Sequence, residues 1–187
     1  FHCVDAYLFG PRYPMTADPL VASADRYRAE TRAEAFASLS HLERYPDGQQ
    51  LLANLAIART IGLLHWDVEH YTAPLLQYFS ELKRVQSLDS NLQQRARNVT
   101  EPCQRLAYSS QEYQRFLVTA YHALEALGID LSSLPEEFAG LSSEAVDSYW
   151  LAALLESIND ALGTIRPAEE PISGPGISDD MRTRDPS

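Results

Sequence analysis

The residues best placed to do chemistry lie in one run, His65-Trp66-Asp67-Val68-Glu69-His70. On a helix His65 and Glu69 share one face, and Asp67 and His70 share another. These are the four- and three-residue spacings at which two side chains grip one metal ion. His122 and Glu125 repeat the shorter spacing further along. A metal or small-molecule site would therefore draw on His65, Glu69, His70 and His122. A di-metal carboxylate bundle needs more, namely acids from other helices and two Glu-x-x-His motifs. The chain has no Glu-x-x-His. The competing reading is hydrogen-bonded histidines and acids at the rim of a core helix. The pattern favours it, because both pairs project onto the flanks between apolar stripes.

Nucleophilic catalysis has no support. There is no Gly-x-Ser-x-Gly elbow, and neither cysteine sits in a reactive motif. Gly174-Pro175-Gly176 lacks the strand and helix that frame a phosphate loop. The Tyr and Trp residues recur at helical spacing and read as core rather than as a cofactor box. No catalytic residue and no cofactor is expected.

Charge is the second chemical feature. The formal net charge is −11, which disfavours nucleic acid and anionic membrane surfaces. No Lys or Arg occurs between Arg115 and Arg166, and Glu136, Glu137, Glu144 and Asp147 fall in that interval. A one-signed surface steers an oppositely charged partner and raises its association rate. It also keeps a protein soluble, which needs no partner. Earlier in the chain Glu30, Glu34 and Glu43 alternate with Arg26, Arg28, Arg32 and Arg44. That mixture reads as a solvated face, with Arg26 and Glu30 paired one turn apart.

Cys3 and Cys103 form an even pair, compatible with one disulfide. Closing a loop of about 100 residues contributes ~4.7 kcal/mol in the chain-entropy model. The bond would pin a loose N-terminal segment and would place the protein outside the reducing cytosol. The alternative is two unrelated thiols in an intracellular protein. Asn98-Val99-Thr100 is a glycosylation sequon, a triplet too short to be specific. The chain opens on Phe1, which reads as a processed or trimmed start. No apolar run reaches the ~18 residues of a membrane span.

The elements that must position these residues are helical throughout. A length of 187 residues suits one domain. Asp18-Pro19, Asp47 with Gln50, Ser109 with Glu112, and Ser133 with Glu136 offer helix starts, the last three with capping-box spacing. Gly128 and Gly163 mark stops. The spacing predicts helices over 18–45, from 47 to about 98 with either a kink near Pro74 or a very short break at which Thr72 caps a new helix, and over 109–128, 134–139 and 143–162. A short helical turn is expected from Pro102. The first helix should bury Phe36, Leu39 and Leu42, with Tyr27 off that face. The segment 50–71 is apolar on two sides and should be the buried central helix. The last helix should turn Tyr149, Trp150, Ala153, Leu154 and Ile158 inward. The expected fold is an all-α, irregular bundle of five or six helices over 1–163, with an N-terminal arm over 1–17. Residues 164–187 are rich in proline and lack aromatics, and read as a flexible tail.

Three functions fit. The first is a non-catalytic, extracytoplasmic interaction module whose acidic helical surface binds a protein partner with a basic surface. The second is a small-molecule or metal-binding bundle with a site near His65 and His70. The third is an intracellular helical adaptor.

Overall fold

A computed structural model describes residues 18–82, 91, 94 and 107–165. Among these the fold is all-α, with helices and turns and no strand. The arm over 1–17, both cysteines, the sequon, the turn at Pro102 and the chain after 165 lie outside the described residues.

Helix α1 spans Pro19–Arg44. Asp18 caps it, its Oδ1 accepting from the backbone N–H groups of Leu20 at 2.9 Å and Val21 at 3.3 Å. Twenty-six residues make a rod about 39 Å long, and one core does not cover it. Ala24 and Tyr27 pack with Tyr71, Tyr113 and Phe116. Ala35, Leu39 and Leu42 pack with Leu52, Leu76 and Phe79, and Phe36 lies against the same group, partly buried. Tyr27 is off the later face because the early turns serve a different core.

Helix α2, Gln49–Gly62, starts at Gly48 and not at Asp47. Asp47 is exposed and makes no cap. A Cβ at Gly48 would meet the His41 ring at 2.3 Å and the Tyr45 carbonyl at 2.9 Å, so the close turn between α1 and α2 excludes larger residues. Only Leu52 and Thr60 are fully buried on α2, while Leu51 remains 49 % exposed. The segment 50–71 is therefore not the buried central helix.

The chain is not one kinked helix: it breaks after Gly62, and a new helix starts at Thr72, the alternative the sequence left open. After Gly62 come a 3-10 turn over Leu63–His65, a left-handed Trp66 at φ 57° and a second 3-10 turn over Val68–His70. The Asp67 N–H donates to the Gly62 carbonyl at 3.2 Å and the Trp66 N–H to the Leu63 carbonyl at 2.8 Å. This is the paired closure of a Schellman stop, with tryptophan in the place usually held by glycine. Helix α3, Ala73–Ser80, then takes Pro74 in its first turn, where a missing N–H is tolerated. It ends at Ser80, and of the expected run to 98 the residues 83–90, 92–93 and 95–98 lie outside the described residues.

Helix α4, Ser110–Ala126, holds the central place. Eight of its residues are buried, among them Tyr113, Phe116, Leu117 and Leu124. Ser109 and Glu112 form the full capping box. Gly128, at φ 74°, makes the stop, with the Ile129 N–H on the Leu124 carbonyl at 3.0 Å. A 3-10 segment follows over Glu136–Ser143, led by Pro135 with no side-chain cap, so Ser133 does not start it.

Helix α5, Ser148–Ile165, begins at Asp147 rather than near 143. It runs through Gly163, two residues past the expected stop, and the Thr164 hydroxyl donates to the Asp160 carbonyl at 2.9 Å. Its buried face is Leu154, Ile158 and Ala161. Tyr149 is 78 % exposed and Ala153 is also exposed, against expectation. No helix among the described residues is long and apolar enough to cross a membrane.

Candidate functional site

The break between α2 and α3 presses a polar seam against α1. Glu34 lies there with its side chain only 14 % exposed, gripped by the Arg59 guanidinium from α2 at 2.9 to 3.3 Å. The Thr72 hydroxyl also donates to Glu34. Arg26 donates to Glu69 at 2.7 Å. The Glu30 side chain is 13 % exposed and lies 3.9 Å from His70 Nε2. On its other edge His70 Nδ1 meets Asp67 Oδ1 at 2.6 Å. Glu30 and Glu34 are thus not a solvated face. Glu34 and Arg26 fix the irregular chain over 63–72 by charged hydrogen bonds to Thr72 and Glu69, and such bonds are about twice as strong as neutral ones.

The four proposed metal ligands go separate ways. His65 is exposed. Glu69 is held by Arg26, and His70 sits between Asp67 and Glu30. His122, on α4, reaches Glu125 at 3.4 Å and the Glu144 carbonyl at 3.1 Å. Among the described residues no three His, Cys, Asp or Glu side chains are grouped to hold a metal ion.

The acidic candidates are all exposed. Glu136 and Glu137 open the 3-10 segment. Glu144 follows it, anchored through its backbone by His122. Asp147 has a structural duty, since its Oδ1 accepts from the Tyr149 N–H at 2.9 Å and caps α5. Glu144 and Asp147 line a 400 Å³ hollow together with Arg115 of α4, so this edge does meet one cation. The sequence set Glu125 beside His122 rather than among the acidic candidates and did not single out Asp130, Glu156 and Asp160; all four are exposed as well. The interval free of Lys and Arg contained that signal, because it includes every one of these acids.

Two further hollows flank α5. A 490 Å³ trench runs between α5, α2 and α3, walled by small side chains such as Ala53, Ala56, Ala73, Ala153 and Ser157. Its polar groups include Glu81, Glu156 and Asp160. A 220 Å³ aromatic pocket adjoins it, lined by Tyr71, Tyr108, Phe116, Tyr149 and Trp150. Tyr71, Ala153 and Ser157 border both. Burial pushes the Tyr71 phenol up to about 12, with a smaller contribution from nearby Tyr27. Burial likewise raises Tyr108 and Tyr113. The floor beneath the pocket is therefore uncharged at neutral pH. Trench and pocket join through Tyr71, Ala153 and Ser157. They offer a ligand-sized hollow with carboxylates at one end and aromatic rings at the other.

In comparisons with family models, curated proteins and solved structures, nothing matches this chain.

Proposed function

We propose that this chain is a non-catalytic protein-interaction module that works outside the cytosol. Its acidic surface, over the 3-10 segment and α5, binds a protein partner through a basic face. One observation carries this reading. Every acid between 116 and 165 is exposed, and no Lys or Arg occurs in that stretch. The acids of α1 behave otherwise, since Asp25 and Glu34 are matched to arginines at 2.9 Å. A stretch of acids without local cations costs self-repulsion, and a steered encounter with a basic partner offsets that cost.

The test is association kinetics with the partner recovered by cross-linking in the native source. Glu136→Lys with Glu137→Lys should slow association on the order of tenfold at low salt and flatten its salt dependence. Asp147 is left intact because it caps α5. Unchanged kinetics with an intact fold would contradict the reading. The extracytoplasmic placement has its own check. Unfolded, unreduced protein should show no titratable thiol from Cys3 or Cys103, and two reactive thiols would place it in the cytosol instead.

A further inference from the structure

Helix α5 buries little of itself, yet the chain builds a hollow along its flank. From Trp150 to Thr164 its side chains border the aromatic pocket and then the trench, a run of about 21 Å at the helical rise. The trench walls are mostly small residues, and among the described residues no large side chain fills it. Among the described residues the charge along it is one-signed. None of the described residues lining either hollow is Lys, Arg or His, and Glu81, Glu156 and Asp160 lie in the trench. Glu156 and Asp160 stand one turn apart on α5, a like-charged spacing that destabilises a helix. The C-terminal carbonyls of α5 add partial negative charge at the same end.

We propose, building on the interaction reading above, that this trench docks a basic amphipathic helix of the partner. One large apolar side chain enters the aromatic pocket, and basic side chains line up with Glu156, Asp160 and Glu81. The geometry sets the pattern of that helix. Glu156 and Asp160 follow Ala153, at the junction of the hollows, by about 4.5 and 10.5 Å along the axis. A helix lying beside α5 meets them with basic residues three to four and seven positions from its apolar anchor, the usual periodicity of a helix in a groove. A small organic cation is less well served, because the Tyr71 and Phe116 rings stack face to face at 4.7 Å and so occupy each other's π-faces.

The experiment uses the full chain and a dye-labelled synthetic helical peptide. The peptide has one Trp anchor with Lys or Arg three, four and seven positions away. A shuffled peptide of the same composition is the control, and binding is read by anisotropy. Binding should weaken at least tenfold with Ala153→Trp, which fills the junction from an exposed position, and with Glu156→Lys plus Asp160→Lys. The shuffled peptide should bind at least tenfold more weakly. Glu136→Lys with Glu137→Lys, outside the trench, should change binding less than twofold. Amide exchange on the unmodified chain should slow over 153–164 and 71–81 when the peptide is added, which requires no variant to fold. Absence of peptide binding, equal binding of the shuffled peptide, or trench variants that bind as the parent does would each overturn the groove. Loss confined to the Glu136 and Glu137 variants would overturn it too, while leaving the acidic-surface reading standing.

Discussion

At the residue scale, the caps that bond to the backbone were the most legible. Asp18, Ser109 and Glu112 do what their spacing predicts. Asp47 and Ser133 carry the same spacing and cap nothing, because Gly48 and Pro135 take the starting positions. The Ser109 hydrogen bonds hold the Glu112 carboxyl below its ordinary value of 4.5. A lowered folded-state value means stability that is present above 4.5 and lost as pH falls through the folded value. Glu112→Gln, which can keep the bond but cannot titrate, should remove that part of the acid decline in a series of thermal melts. An unchanged decline would mean the carboxyl is not engaged in solution. Ser109→Ala should cost about 1 kcal/mol. Trp66 is the least legible residue, since nothing in its type announces a helix stop. Its ring meets Phe138 edge-on at 5.3 Å and Tyr121 at 6.4 Å, and that packing offsets a left-handed backbone costing about 1–2 kcal/mol. Trp66→Gly relieves the backbone and loses the ring. We expect a net loss of about 2 kcal/mol by denaturant unfolding, and a gain in stability would show that the ring contributes little.

At the element scale, the helices between strong marks were legible and their phases were not. Helix α4 lies between Ser109 and Gly128 as the sequence predicts. Helix α5 keeps its length but turns Tyr149 and Ala153 outward, because Asp147 sets its first turn and Leu154, Ile158 and Ala161 meet the core. The break after Gly62 was hidden by an apolar stripe that continues through it, with Val68, Tyr71 and Leu75 all buried on the far side. The same stripe made α2 look central when its outer side is solvated. Tyr71, Tyr108 and Tyr113 come from the break, from the chain before α4 and from α4 itself. Burial raises all three, so their phenols hold protons in the folded state at pH values where an unfolded chain releases them. That contribution is present below the ordinary value of 10.0 and is lost as pH rises beyond it. Stability should therefore fall above pH 10, with late phenolate absorbance at 295 nm appearing together with the loss of helical circular dichroism. Full phenol ionisation with the helices intact would contradict the burial of these rings.

At the scale of the whole molecule, the fold class was legible because helix punctuation and a three-to-four apolar rhythm agree along the chain. The candidate site was legible in part. The interval without Lys or Arg pointed to Glu136, Glu137, Glu144 and Asp147. It did not reveal the trench, which arises only when α2, α3 and α5 are brought side by side. Nor could it show that Glu30 and Glu34 of α1 are turned inward, since the arginine Arg59 that holds Glu34 is supplied by α2. Among the described residues charge is therefore distributed unevenly: arginines meet Glu34 and Glu69 around the 63–72 break, whereas the carboxylates over the 3-10 segment and α5 are exposed and lie in a stretch without Lys or Arg. Cross-linking with a carbodiimide, which joins carboxylates to lysine amines at zero length, tests that division most directly. In the native source, bonds to partner lysines should map to Glu136, Glu137, Glu144, Glu156 or Asp160 and should vanish in high salt. Bonds to the partner that fall instead on Asp25, Glu34 or Glu69 would contradict the account.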